Sequence, residues 1–195
     1  ALGQYLTQHF DGKKYFYITA DYNWGHTSEA ALRQNTNTQN SSQHPGVTLP
    51  FPTAKQSDYS SVLQQAGASN ADILVLVLYG HDLVRAMQMV DNMGLKRKMQ
   101  VAAPNLTQSV FELSGPSIMV GAIGAEHWLW RVPEIENSEA GIRFVENYNK
   151  EYGLYPPSAA ASAYTVINQW ADAVNRSKTL STQAVINSLE NHNYS

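Results

Sequence analysis

Asp72 introduces an uninterrupted apolar run, Ile73-Leu74-Val75-Leu76-Val77-Leu78, which Tyr79 and Gly80 close. A strand with one wet face alternates apolar and polar residues, so a run that is apolar at every position has both faces covered. Six residues are too few for a buried helix and suit a strand. Such a strand sits in the middle of a parallel sheet, and parallel neighbours need long crossovers, usually helices. The run therefore predicts an α/β fold: a three-layer, open, mostly parallel sheet.

The flanking sequence supplies the other layers. Tyr15 to Ala20 reads as a strand of aromatic and β-branched residues. A helix is expected from about Thr27 to Asn35, and residues 35–46 form a polar, turn-rich loop. Val47 to Phe51 is a second strand, closed by Pro50 and Pro52. Ser57 is placed to cap a helix from Asp58 to about Ala68. Leu83, Ala86, Met87, Val90 and Met93 recur at helical spacing over Asp82 to Met93, and Gly94 ends that helix. Met99 to Ala103 and Val120 to Ala125 complete the strands, with a short helix between them.

After Trp130 the strand pattern stops. One amphipathic helix is expected from Glu134 to Tyr152, broken by Tyr155-Pro156-Pro157. Ser158 to Val174 is a second helix, and Ser181 caps a third through Leu189. An alternating region is thus followed by an all-helical tail.

Several function classes drop out. A formal net charge of -3 gives no basic footprint for nucleic acid. The longest apolar stretch, Ile73 to Tyr79, is far short of the ~20 residues of a spanning helix. With no cysteine, disulfides and thiolate metal sites are excluded. The six histidines lack ligand spacing, so no metal or other cofactor is expected. There is no P-loop, and Gly121-Ala122-Ile123-Gly124 is a partial dinucleotide fingerprint lying inside a strand. No GxSxG elbow is present. Asp21 stands at a strand end like a receiver-domain acceptor, but no acidic cluster accompanies it; its plain reading is a loop cap for the next helix.

Taken in order, the motifs resemble one family. They are Asp21-Tyr22-x-Trp24-Gly25 after a strand, Asp72-Ile73-Leu74-Val75-Leu76 with its glycine exit, and a helix ending in Met93-Gly94-Leu95. Phe144-x-x-x-Tyr148, Tyr152-Gly153-x-Tyr155-Pro156, Ala159-Ala160-Ala161-x-Ala163-Tyr164 and Ala171-Asp172-Ala173-Val174 follow. The set resembles the type I periplasmic solute-binding proteins, and more narrowly the leucine/isoleucine/valine-binding receptors of branched-chain amino acid ABC transporters.

The resemblance implies two α/β lobes joined by crossovers, with a ligand cleft between them. Residues 1–127 would be the second lobe, 128–133 a crossover or hinge, and 134–195 helices of an incomplete first lobe. The chain would then be a fragment of a longer protein. Its Ala159–Ala163 face would lack the sheet it packs on, so a dimer or an associated second chain is expected. The implied function is a periplasmic receptor of an ABC-type importer, working with a membrane permease and doing no chemistry. The alternatives are the sensory domain of a signalling receptor and, below that, an α/β enzyme.

Candidate ligand residues are Tyr22, Trp24, Tyr79, Gly80 and Asn105, all at strand exits, where open α/β sheets bind ligands. Trp24 would cover the ligand or pack on its own helix. Tyr22 would share that wall or point into the core. Gly80 would admit a close ligand, and His81 would cap the next helix. Asn105 stands near the place where amino-acid-binding members carry an acidic residue. An amide cannot pair charge with an ammonium, which favours a neutral, amide or aromatic carboxylate ligand over an α-amino acid. Trp128 and Trp130 would line the cleft or anchor the hinge.

Overall fold

A computed structural model describes residues 1–190, 192 and 193. The chain divides into two compact units, Ala1–Glu126 and His127–Ser195.

The first unit opens with a helix that the sequence reading does not anticipate, α1 (Leu2–His9), which buries Leu2 and Leu6. Then come β1 (Tyr15–Ala20), α2 (Asn23–Asn35), β2 (Gly46–Leu49), α3 (Gln56–Ala68) and β3 (Ile73–Val77). The series ends with α4 (Gly80–Asn92), β4 (Gln100–Ala103), α5 (Gln108–Ser114), α6 (Pro116–Met119) and β5 (Ile123–Gly124). The sheet has five strands in the order β2-β1-β3-β4-β5, and every pair is parallel. The expected α/β class with a parallel open sheet is the observed one.

The period of two within each strand sorts side chains to the two faces. Phe16, Ile18 and Ala20 of β1 join Leu74 and Leu76 of β3 in a core with Tyr59 and Leu63 of α3 and Leu83 and Met87 of α4. Tyr15 and Tyr17 join Ile73, Val75 and Val77 on the other face, with Leu6 of α1 and Leu32 of α2. Every residue of β1 and β3 is buried. At ~25 cal/mol per Å² of apolar surface, each such side chain contributes roughly 1.5–3 kcal/mol.

Where local signals competed, the element boundaries moved. Helix α3 starts before Ser57: Lys55 is its N-cap, and the Lys55 N–H donates to the Asp58 carboxylate at 2.7 Å. The strand expected at Val120 to Ala125 shrinks to Ile123–Gly124, because Val120 is exposed and Gly121 turns at φ +82.

In the second unit the single helix expected at Glu134 to Tyr152 is two, α7 (Val132–Ile135) and α8 (Glu139–Tyr152). Asn137 breaks it at φ +55, and the Ser138 hydroxyl then accepts the Gly141 N–H as an N-cap. Helices α9 (Ser158–Ser177) and α10 (Thr182–Glu190) follow. Residues 191, 194 and 195 of the expected helical tail lie outside the described residues.

Phe144, Val145 and Ala161 form the core of this unit, with Trp128 and Trp130 packed against it. The Ala-rich face is thus covered in part, since Ala161 is buried while Ala159 and Ala163 are exposed. The larger uncovered surface is further along α9, where Val166, Ile167 and Trp170 are 65%, 62% and 51% exposed.

Candidate functional site

The carboxyl ends of β1, β2 and β3 carry a set of aromatic rings. Helix α2 begins at Asn23, four residues before the expected start, so Trp24 lies in its first turn rather than in a loop. Only Asp21 and Tyr22 separate β1 from α2. Gly25 permits this tight junction. A Cβ there would stand 2.0 Å from the Ala20 carbonyl oxygen, so only glycine lets the helix start so close to the strand.

Tyr22 is extended at the N-cap of α2, and its backbone N–H donates to the Ala20 carbonyl at 2.8 Å. The Asp21 N–H donates to Leu49 O at 2.9 Å, tying the exits of β1 and β2 together. Tyr22 packs on the α3/α4 face of the sheet, and Trp24 on the α1/α2 face. Their rings stack at 5.8 Å between centroids. Trp24 meets Tyr79 edge-on at 6.1 Å. Both distances fall in the range favoured by aromatic pairs.

Phe51, a residue the sequence reading used only as a strand end, stacks on Tyr22 at 4.3 Å. It follows β2 and is exposed. Its signal was an aromatic between two prolines at a strand exit, where a core role needs a strand that Pro50 and Pro52 interrupt. Tyr22, Trp24, Phe51 and Tyr79 thus form one continuous wall from three strand exits.

Tyr79 is half exposed and occupies the N-cap of α4. Gly80 is the first residue of that helix, at φ +55, with open space where a Cβ would be. That backbone favours glycine and leaves the surface beside Tyr79 clear. His81 does not cap the helix; it lies in the first turn of α4, whose cap has no side-chain bond. Asn105 follows β4 and is half-buried, and the next residue, Leu106, donates its N–H to Ala125 O at 3.0 Å. Asn105 therefore shares the carboxyl edge of the sheet with the wall.

Polar groups back the rings. Tyr59 is buried in α3, and its hydroxyl donates to Asp82 Oδ1 in the first turn of α4 at 2.5 Å. Burial, then the Asp82 bond and charge, push the Tyr59 hydroxyl up. The Tyr22 hydroxyl is also raised, first by burial and then by Asp82 and Tyr79. Asp21 does not cap α2 through its backbone; its carboxylate meets His26 Nε2 at 2.9 Å on the surface.

The two remaining tryptophans of the sequence reading belong to the second unit. Trp130 stacks on Tyr155 at 3.9 Å, and Trp128 packs beside Phe144 at 6.2 Å. Among the described residues, no three metal-ligating side chains come together, and no helix is long and apolar enough to cross a membrane.

Among curated proteins none matches the chain. Solved structures do match. A periplasmic binding protein from Burkholderia mallei superposes with a TM-score of 0.82 at 24% identity, covering 98% of this chain and 48% of that one. A solute-binding protein of an ABC transporter from Rhodopseudomonas palustris, in complex with 3,4-dihydroxybenzoic acid, gives 0.79 at 18%, covering 96% and 50%. A branched-chain amino acid ABC transporter ligand-binding protein from Burkholderia xenovorans gives 0.70 at 22%, covering 100% and 50%. The chain spans about half the length of these structures. The profile of the family described as periplasmic binding protein matches residues 1–195. This match over the whole sequence makes the chain a member of the periplasmic binding protein family.

Proposed function

We propose that the chain is part of an extracytoplasmic solute-binding receptor of an ABC-type importer, located in the periplasm. It binds a small amino-acid-like, amide or aromatic carboxylate ligand and does no chemistry on it. The observation that carries this reading is the wall of Tyr22, Trp24, Phe51 and Tyr79 at the carboxyl edge of a parallel sheet. Ligands of open α/β sheets sit at that edge. Flat rings offer large contact area with few torsions to immobilise. Gly80 leaves room beside them, and Asn105 offers an amide that donates and accepts at the next strand exit.

In this reading residues 1–127 are the second lobe, 128–133 the crossover, and 134–195 helices of the first lobe. The remainder of the first lobe supplies the opposite wall, and a membrane permease recognises the closed state. The exposed Val166, Ile167 and Trp170 on α9 are then the seat of that missing sheet, or of a second copy in its absence. The 3,4-dihydroxybenzoic acid bound to one similar structure, and the description of another as a branched-chain amino acid ABC transporter protein, bracket the ligand classes to be tried.

The test is a thermal-shift screen with amino acids, amides and aromatic acids, followed by binding to the Trp24→Ala variant. A ligand that binds only the folded state raises Tm by mass action. Stabilisation by one class, lost in Trp24→Ala, is expected. Stabilisation by α-amino acids alone would refute the role given to Asn105. Equal binding by Trp24→Ala would refute the wall.

A further inference from the structure

The second unit holds a cleft that ligand binding at the sheet edge does not use. It is bounded by α7, α8 and α9, has a volume of about 220 Å³, and is lined by residues of this unit alone. Three rings from three segments line it: Trp128 ahead of α7, Phe144 on α8 and Tyr164 on α9. Phe144 and Tyr164 are nearly parallel, 4.4 Å apart at 28°, and Trp128 is inclined to Phe144 by 57° at 6.2 Å. The rings therefore meet as a corner and not as one flat stack. Small residues keep that corner open. Gly141 and Ala161 line it, and Gly141 cannot grow, since a Cβ there would stand 2.8 Å from Pro133 Cβ.

The charges of the cleft are of one sign. Glu136 is its only charged lining residue, and Ser138 and Thr165 add hydroxyls. Glu136 makes no ion pair among the described residues. Two arginines are near in sequence, and neither lines the cleft. Arg131 lies over the Trp130 ring at 5.9 Å, and Arg143 meets Glu139 at 3.6 Å. The positive end of α8 is answered by its own Ser138 cap and by Glu139 in its first turn. Ring faces attract cations, indole most strongly. Rings and carboxylate thus favour the same kind of occupant.

Size and hydration narrow the choice. An apolar cavity of about 150 Å³ holds one benzene, and pockets for drug-sized molecules start at about 300 Å³. The cleft therefore takes one compact group. A bare ammonium loses three hydrogen bonds to water on entry and needs acceptors in exchange. A quaternary ammonium has no N–H to satisfy, and its methyl groups spread the charge over an apolar surface that fits against rings.

We propose that this cleft binds a small molecule carrying a quaternary ammonium group, with Trp128, Phe144 and Tyr164 as its cage and Glu136 as its counter-charge. The site shares no residue with the wall of Tyr22, Trp24, Phe51 and Tyr79, and stands whether or not that wall binds a ligand.

The experiment titrates the whole chain with choline and with 3,3-dimethyl-1-butanol, which has the same shape and no charge, reading the indole N–H signals. Choline chloride replaces sodium chloride at fixed ionic strength, so that screening stays constant. Choline should move the Trp128 signal, assigned by Trp128→Phe, along a saturating curve, and should bind roughly tenfold tighter than the alcohol. Tyr164→Leu keeps apolar bulk and removes a ring, and should cut that preference to about threefold or less. Tyr164→Phe keeps the ring and should retain it. Glu136→Gln should weaken choline roughly two- to fivefold and leave the alcohol unmoved. General loosening of the unit would instead weaken both probes together. The comparison of the two probes on the wild type stands even if a variant fails to fold. The alcohol binding as tightly as choline would make the cleft a merely apolar hole and overturn the proposal. Choline that leaves the Trp128 signal in place would overturn it too, as would a preference that survives either Tyr164→Leu or Glu136→Gln unchanged. Trp24→Ala should bind choline as the wild type does; loss of choline binding there would move the site to the wall and refute the cage.

Discussion

Replacing Gly25 by alanine tests the link between the strand-helix junction and the wall. The new Cβ would sit 2.0 Å from the Ala20 carbonyl oxygen, 3.0 Å from its carbon and 3.2 Å from Thr19 Cγ2. Even a close C···O contact is about 3.3 Å, so the start of α2 must retreat by roughly 1.3 Å. Two of the three obstructing atoms are backbone of a strand buried at every position, so no rotamer change relieves them. Overpacking costs typically 1–3 kcal/mol, and the clash with backbone puts this site at the upper end. Alanine returns up to about 1 kcal/mol of helix propensity. The net expectation is a loss of about 2 kcal/mol, or roughly 8 °C in Tm for a unit of this size. Urea and thermal unfolding by circular dichroism measure it. Gly67→Ala in α3 is the control, since its Cβ would touch only Leu95 Cδ2 at 3.1 Å, the end of a movable side chain. It should be neutral or stabilising. Gly25→Ala as stable as Gly67→Ala would refute the close junction, and with it the placement of Trp24.

Two further outcomes follow from other parts of the molecule. The Tyr15 N–H donates to His44 Nδ1 at 3.2 Å, so that nitrogen is unprotonated in the fold, and burial with Arg33 and Lys14 lowers the His44 pKa below 6.5. The folded state then binds the proton less readily than the unfolded chain; this contribution is complete above pH 6.5 and is lost as pH falls below it. His44→Gln keeps an acceptor without a titration, and should flatten that segment of a stability-pH curve measured by urea unfolding; an unchanged slope would contradict the assignment. On α9, the pair Ile167→Asp and Trp170→Ser should reduce self-association in sedimentation velocity, because it removes apolar surface worth ~25 cal/mol per Å² when covered. Wild type and variant sedimenting alike would exclude this face as the seat of a partner.

How far the sequence carried depended on how local each signal was. Tyr15 to Ala20 matched β1 residue for residue, because burial on both faces selects the apolar and aromatic side chains that fill every position but Thr19. The apolar run from Ile73 placed the central strand for the same reason. Helix starts were harder. Asn23-Trp24-Gly25 reads as a loop on propensity, since Asn and Gly are poor helix formers, yet Gly25 is what lets the helix begin there. The break between α7 and α8 turns on Asn137 in the left-handed region, which a helical periodicity passes over. Of the residues gathered at the carboxyl edge, Tyr22, Trp24, Tyr79 and Gly80 could be placed from the sequence as neighbours of strand exits, and their part in binding is the proposal above. Phe51 was not, because its stacking on Tyr22 depends on β1 and β2 being neighbours. The bond between Tyr59 and Asp82 was equally hidden, since it joins residues of two helices 23 positions apart in the chain.

An indole N–H spectrum of the whole chain separates the wall from every other tryptophan. The four tryptophans, Trp24, Trp128, Trp130 and Trp170, give one indole signal each, and Trp24→Phe assigns the relevant one. Titration with benzamide should move the Trp24 signal along a saturating curve and leave the three signals of the second unit in place. A Trp24 signal that stays fixed while benzamide raises Tm, or while a signal of the second unit moves instead, would contradict ligand binding at the carboxyl edge of the sheet.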